Sequence, residues 1–228
     1  MHGYLDDVTG KGAAGESRII YIIVAFIIVI IVVFAVILST RQLTPAYVPD
    51  DVLINDGWAE NLTSRDEGSH LLGLEKWCSL TYDVEGRYPA YLTVTTYKTL
   101  LMMDENELMD KTTETIKKAL QHGIAIDNSS ESTKERVLKN EHKTTYIIYS
   151  GNDTTKDPHE KIKIIGEAWN CGTSGTSIIC IGLAQITDYA HNNPNENTAQ
   201  WEKIVRDRNG MIDDFAGEDG LIYNVICH

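Results

Sequence analysis

The apolar run from Ile19 to Leu38 constrains this chain more than any other feature of its sequence. It reads IIYIIVAFIIVIIVVFAVIL, contains no charged residue, and is bracketed by Arg18 and Arg41. At about 1.5 Å of rise per residue, a helix of this length spans the ~30 Å hydrocarbon core of a bilayer. No strand of a soluble sheet needs so many consecutive apolar residues. The run therefore predicts a transmembrane helix over residues 19–40, with the lipid bilayer as its partner.

Two other interpretations of this run remain open. A cleavable signal peptide has an apolar core of about 7–15 residues followed by small residues, whereas this run is longer and leads into residues 39–42 (STRQ). Residues 11–13 (KGA) resemble the processing site of type IV pilins and archaellins, which would make the run the core of a filament. The sequence departs from that pattern because Glu16 and Arg18 stand between the site and the apolar run.

The flanking charges predict the orientation of the helix. Lys11 and Arg18 precede it, whereas Arg41 alone follows it before an acidic pair, so the positive-inside rule favours a cytoplasmic N-terminus. The predicted localisation is the cell membrane, single-pass, with the C-terminal domain outside the cell. The predicted organisation is a cytoplasmic tail (1–18), the transmembrane helix (19–40), a linker (41–70) and an extracytoplasmic domain (71–228).

Cysteines and glycosylation sequons support export, because all of them follow the apolar run. Four cysteines in an exported domain most simply form two disulfides, and each Asn-x-Ser/Thr sequon lies in a polar stretch. The disulfide candidates are Cys78, Cys171, Cys180 and Cys227, and the glycosylation candidates are Asn61, Asn128 and Asn152.

The hairpin loop around Ser174 limits the disulfide pairing. With the turn centred there, the residue that faces Cys180 across the hairpin is near Ala168, so Cys180 does not face Cys171. We therefore expect Cys171 to pair with Cys78 or with Cys227, and Cys180 to be a reduced core residue, as free cysteines often are.

The acidic charge of the chain excludes one class of partner. The sequence has 33 acidic and 20 basic residues, a formal net charge of −13. A surface this acidic repels phosphate backbones, so we expect no nucleic acid partner. Cationic ligands and basic partners are electrostatically allowed.

Hydrophobic periodicity beyond residue 70 predicts an α+β domain. Asp104 and Glu107 have capping-box spacing at the start of an amphipathic helix that ends at Gly123. Residues 176–186 (TSIICIGLAQI) are almost continuously apolar, which is typical of a central strand covered on both faces. Short turns between neighbouring strands indicate an antiparallel sheet, which the helices would cover as a second layer. The predicted order is two strands, a helix, three strands (143–150, 161–171, 176–186), a helix containing Trp201, and a last strand (221–227).

This order resembles that of PsbP-like extracytoplasmic domains. The resemblance rests on the helix from Glu105 to Gln121 with Gly123, on residues 146–149 (YIIY), and on residues 164–169 (IIGEAW) leading into the buried strand. It implies a non-enzymatic accessory or assembly domain, and it transfers no site residue.

No motif in the chain names a reaction, so we expect neither catalytic residues nor a cofactor. The sequence lacks Cys-x-x-Cys and His-Glu-x-x-His spacing, which argues against zinc. Its scattered histidines are expected at the surface, and Ser174 is expected in a hairpin turn. One acidic turn is a weak calcium candidate, although its spacing fits no known loop pattern: Asp213, Asp214, Glu218 and Asp219.

These observations together predict a membrane-anchored structural or binding subunit of a membrane-associated assembly, with other membrane or surface proteins as its partners. Two alternatives are a solitary ligand-binding or sensor ectodomain and a type IV pilin-like filament subunit. An enzyme is not expected.

Overall fold

The fold is described from a computed structural model. It describes residues 21–33, 43–54, 57–70, 73–120, 123–191, 193, 195–207, 212 and 219–228. Within them, eight strands form the folded part: β1 (Ala59–Glu60), β2 (Asp66–His70), β3 (Glu75–Val84), β4 (Ala90–Lys98), β5 (Ile124–Val137), β6 (Lys143–Asp153), β7 (Glu160–Cys171) and β8 (Thr176–Gln185). The α-helices of this folded part are α1 (Asp50–Leu53), α2 (Glu105–Leu120) and α3 (Ala199–Val205), and the described residues 21–33 are also helical.

All eight strands belong to one antiparallel sheet in the order β1-β3-β4-β8-β7-β6-β5, and β2 pairs with the same edge of β3 as β1 does. The last strand along the chain, β8, lies between β4 and β7 near the centre of the sheet. Its almost continuous apolar sequence explains this position, because a central strand is covered on both faces. Ile178, Ile179 and Cys180 are at most 1% exposed.

The predicted α+β class is wrong, because the fold is mostly one large antiparallel sheet with few helices. The longest strand, β5, explains much of the difference. Its sequence (IAIDNSSESTKERV) is too polar to show the alternation typical of a half-buried strand, so the pattern alone does not indicate a strand here. The predicted last strand over 221–227 contains instead a 3₁₀ turn (Ile222–Asn224) and one isolated bridge, between Tyr47 and Ile226.

The predicted transmembrane helix over residues 19–40 is also wrong. The structure describes residues 21–33 of this run, and these residues are helical. Among the residues that the structure describes, no helix combines the length and the apolarity that crossing a membrane requires. The predicted membrane localisation, single-pass with the N-terminus in the cytoplasm and the domain outside, is therefore not supported.

One side of the sheet, here called face A, carries the main hydrophobic core. Leu80, Val94 and Cys180 lie side by side across β3, β4 and β8 on this face. Helix α3 covers it with Trp201 and Ile204, both fully buried. Segments 43–54, 57–58 and 219–228 complete the cover. The first two belong to the predicted linker, but they contribute several side chains to this core: Ala46, Val48, Leu53 and Trp58.

The opposite side of the sheet, face B, is covered by α2. This helix begins where the capping-box spacing predicts, because the Asp104 carboxylate accepts a hydrogen bond of 2.9 Å from the backbone N–H of Glu107. Leu108 and Ile116 point towards the sheet and are at most 3% exposed. They pack on isoleucines of β6, β7 and β8, among them Ile147, Ile164 and Ile179.

Two glycines let the helices approach the sheet closely, one on each face. A Cβ atom at Gly166 would lie 2.6 Å from Thr112 Cγ2 and 2.8 Å from Ile116 Cδ1 of α2. A Cβ atom at Gly182 would lie 2.7 Å from Ile204 Cγ2 of α3. These distances are shorter than van der Waals contact, so a side chain at either position would push a helix away from the sheet.

We expect the substitution Gly166→Ala to lower the free energy of unfolding by about 1–3 kcal/mol, the usual cost of overpacking a core. Urea denaturation followed by circular dichroism would measure it. Gly172→Ala is the matched control, because a Cβ atom there meets nothing within 4 Å, and we expect it to leave stability almost unchanged. Equal stability of Gly166→Ala and the wild type would contradict the close packing of α2.

A buried ion pair lies under α3 on face A. The Arg136 side chain donates through Nε to Glu167 Oε1 at 2.8 Å and through Nη2 to Glu167 Oε2 at 2.5 Å, and both side chains are completely buried. The Nη1 atom donates to Val205 O at 2.6 Å and lies 3.4 Å from Asp207 Oδ2. This network joins β5 and β7 to the end of α3.

Candidate metal centre

Four metal-ligating side chains from three separate segments meet at one end of the sheet. Cys171 is the last residue of β7, His142 directly precedes β6, and Cys227 and His228 follow the bridge between Tyr47 and Ile226. One potential ligand atom from each residue lies within 4.8 Å of all the others.

The individual distances suit a tetrahedral ion. The Cys227 sulfur lies 3.2 Å from His142 Nε2 and 3.5 Å from His228 Nδ1, and the Cys171 sulfur lies 3.4 Å from His228 Nδ1. Bonds of 2.3 Å from zinc to sulfur and 2.0–2.1 Å to nitrogen imply distances of about 3.3–3.8 Å between the ligands of a tetrahedron. These three distances are therefore close to the spacing that zinc would impose, and every other pair of donors lies within 4.8 Å.

Tight turns hold two of these residues in place. In the β5–β6 connection, Leu138 N donates to His142 O at 3.0 Å and His142 N donates to Asn140 Oδ1 at 3.2 Å. In the β7–β8 turn, Gly175 N donates to Cys171 O at 2.9 Å. The backbone at both positions is thus fixed by its own hydrogen bonds.

Two N–H groups surround the Cys227 sulfur and suit a thiolate there. Asn140 Nδ2 donates to Cys227 Sγ at 3.9 Å as well as to Val225 O at 3.1 Å. The indole N–H of Trp169 is buried and has no hydrogen-bond partner of normal geometry among the described residues. It lies near the Cys227 sulfur, where it acts to lower the pKa of that thiol. Donors of this kind commonly surround metal-bound ligands.

The two thiols are coupled to each other. Burial raises the pKa of Cys171, but hydrogen bonds from Cys227, Ser174 and His228 outweigh it and lower the pKa to about 7. Burial and the neighbouring Cys171 together raise the pKa of Cys227 to about 12. The pair thus readily holds one negative charge but resists a second. A divalent cation between the sulfurs would remove this obstacle and hold both as thiolates.

The histidine partner of this pair is suited to bind as a neutral ligand. Burial lowers the pKa of His142, and the nearby His228 lowers it further. The two imidazole rings meet edge to face with centroids 5.7 Å apart. A neutral imidazole presents a lone pair to a metal ion, as zinc binding requires.

The other two cysteines lie away from this cluster. All four cysteines are free thiols in this structure. Cys78 on β3 is three strand spacings from β7, about 14 Å at ~4.8 Å per strand, which is more than a disulfide spans. Cys180 lies opposite Glu167 across β7 and β8. Burial, and to a lesser extent Glu167, raises the pKa of its thiol well above the ordinary value, which suits a reduced core cysteine.

The remaining predicted site residues are not brought together. Of the calcium candidates, Asp213, Asp214 and Glu218 lie outside the described residues, whereas Asp219 Oδ2 lies 3.5 Å from Lys139 Nζ. Of the sequon asparagines, Asn152 is exposed on β6. Asn61 is half-buried, and its amide group donates to Asp83 Oδ2 at 2.7 Å. The side chain of Asn128 lies outside the described residues.

Sequence reasoning missed His142 and His228 as ligands. Among the four ligands, only Cys227 and His228 are neighbours in the sequence. Every other pair is separated by at least 29 positions, which is the distance from His142 to Cys171. No short motif can show such a set. Only the register of the sheet and the bridge between Tyr47 and Ile226 place these residues at one point.

Comparison with known proteins finds no matching family model, no similar curated protein and no similar solved structure. The resemblance to PsbP-like domains therefore stays a prediction. The fold and the site define the protein only as a class: an antiparallel β-sheet domain with a Cys2His2 donor set at one end of its sheet.

Proposed function

We propose that this protein is a non-enzymatic binding module whose C-terminal segment is fixed to the sheet by one zinc ion. Cys171, Cys227, His142 and His228 are the proposed ligands. The observation that carries this proposal is the convergence of two sulfur and two imidazole nitrogen donors within 4.8 Å of one another.

The chemistry of the donors favours zinc over harder cations. Two sulfurs and two imidazoles are the ligands of a Cys2His2 zinc site. Calcium and magnesium take oxygen ligands instead, and no Asp or Glu side chain of the described residues belongs to the cluster. Copper in its reduced state shares the preference for thiolates, so metal analysis of the purified protein distinguishes the two.

A closed set of four protein ligands supports a structural role for the metal. Catalytic zinc has three protein ligands and keeps a position for water or substrate. Here the protein supplies all four, so the metal would join segments and do no chemistry. We therefore infer that the protein acts through its surface, as a structural or binding subunit of a larger assembly.

The first prediction concerns metal content. We expect protein purified without chelators to contain one zinc ion per chain, measured by elemental analysis and native mass spectrometry. Cys171→Ser and His142→Gln should each lower the zinc content below one half, because a ligand is lost. Cys78→Ser is the matched control, since it removes a buried cysteine outside the cluster, and we expect it to retain one zinc ion.

A disulfide between Cys171 and Cys227 is the second candidate for the same site, because their sulfur atoms also lie within 4.8 Å. Thiol counting after denaturation separates the two. Four free thiols with one bound zinc ion support the metal centre. Two free thiols, no zinc and a mass lower by two hydrogens would overturn it in favour of the disulfide.

A further inference from the structure

A cavity of about 300 Å³ opens between the start of β3, the β4–α2 connection and the β7–β8 turn. Its volume is at the lower limit for small-molecule pockets. The lining residues include two lysines, three large apolar side chains of the β4–α2 connection and one serine, and none of them is acidic. In a chain with 33 acidic and 20 basic residues, such a lining is a marked local excess of positive charge.

The two lysines of this cavity are directly opposite each other. Lys76 of β3 pairs in register with Lys98 of β4, so their side chains leave the same face of the sheet about 5 Å apart at Cβ. Both residues are half-buried. The Lys98 ammonium group has no hydrogen bond or ion pair to any residue that the structure describes. Lys76 already has another interaction within the described chain, so Lys98 supplies the ammonium group that an anion in this cavity would meet.

The other wall of the cavity is apolar. Leu100, Leu101 and Met102 line it and are 55%, 81% and 46% exposed. Three consecutive large apolar side chains rarely stay this exposed without a partner. The cavity thus presents ammonium groups on one side and an apolar surface on the other.

We propose that this cavity binds a small amphipathic carboxylic acid. The carboxylate would pair with the Lys98 ammonium group, beside Lys76, and the hydrocarbon part would lie against Leu101 and Met102. Charge complementarity selects an acid over an alcohol or an amine of the same length. The small volume excludes large ligands. This site is separate from the proposed metal centre, although both lie at the same end of the sheet.

Isothermal titration calorimetry with octanoate, below its micelle concentration, tests the proposal on the full chain. We expect saturable binding of one octanoate per chain, with octanol and octylammonium binding at least about tenfold more weakly. Lys98→Met should weaken octanoate binding about tenfold, because a charged hydrogen bond contributes about 1.5 kcal/mol or more. Lys118→Met is the matched control, since that lysine pairs with Glu114 on the exposed side of α2.

Each other outcome decides against the proposal. Equal binding of octanoate, octanol and octylammonium would mean that an apolar surface of the protein, for example residues 21–33, binds the hydrocarbon part of the ligand without any contribution from its charge. Unchanged octanoate affinity of Lys98→Met and of Lys76→Met would place the acid elsewhere. The zinc content of both variants is measured in parallel, so that loss of binding is not confused with loss of the metal centre. Leu101→Ser, an exposed substitution, should weaken octanoate more than acetate.

Discussion

Replacing Glu167 by leucine is expected to lower the free energy of unfolding by about 3–5 kcal/mol, the cost of leaving one member of a buried ion pair without its partner. The Arg136 guanidinium is completely buried, so it cannot recover its solvation when the carboxylate is removed. Its remaining ionic partner is Asp207, at 3.4 Å. A loss of this size is a large fraction of the 5–15 kcal/mol that stabilises most domains.

The geometry of the pair explains why the effect should be large. Two parallel hydrogen bonds join Arg136 to Glu167, and Thr144 donates a third bond to Glu167 Oε1 at 2.6 Å. Burial alone would lower the pKa of Arg136, but the carboxylates of Glu167 and Asp207 outweigh it and raise the pKa. The guanidinium therefore stays charged in the native state and depends on these partners.

The double variant Arg136→Met, Glu167→Leu separates the pair from its surroundings. Since apolar replacements of a buried pair are often neutral, we expect the double variant to be more stable than Glu167→Leu alone. Urea denaturation curves of both single variants and the double variant give the coupling energy. Glu135→Gln is the control, because its pair with Lys143 is more than half exposed, and we expect little change. Additive losses in the double variant would contradict the pairing.

The sequence predicted the elements whose local pattern and final environment agree. In β8, the continuous apolar run from Ile178 to Leu183 gives the central strand it suggests. The helix α2 has its cap at Asp104 and its apolar face on the sheet, as its periodicity indicates. Propensity, burial and capping all favour the same structure at these places, which makes them predictable.

Prediction failed where the tertiary environment overrides the local pattern. Arg136 lies in a run of charged and hydroxyl residues that indicates an exposed loop, yet the sheet buries it beside Glu167. For the apolar run that contains residues 21–33, hydropathy alone predicted a membrane span, whereas no helix among the described residues combines the length and apolarity that a span requires. At the candidate metal centre, the sequence predicted a disulfide for Cys171. The residues that surround it, His142, Cys227 and His228, are distant in the sequence and are brought together only by the fold.

Removing zinc is expected to release the C-terminal segment from the sheet and to lower the melting temperature. A metal at about 1,000 times its dissociation constant stabilises the folded state by ~4 kcal/mol. For a chain of this size, that corresponds to a shift of about 8–16 °C between the zinc-loaded and the chelated protein. Calorimetry with and without a zinc chelator measures the shift, and Cys171→Ser should show almost none.

The loss should be local before it is global, because the metal joins few segments. Cys227 and His228 follow the bridge between Tyr47 and Ile226, which lies outside the named strands, and α2 supplies none of the four ligands. Hydrogen exchange should therefore speed up first at the backbone amides of Tyr47 and Ile226, which bond each other's carbonyls at 3.0 and 2.9 Å. The strand amides of β7 and β8 should keep their protection. Equally faster exchange throughout the sheet after chelation would contradict this local role. It would mean that the metal stabilises the whole fold, because an ion that only anchors the C-terminal segment cannot control the protection of the central strands.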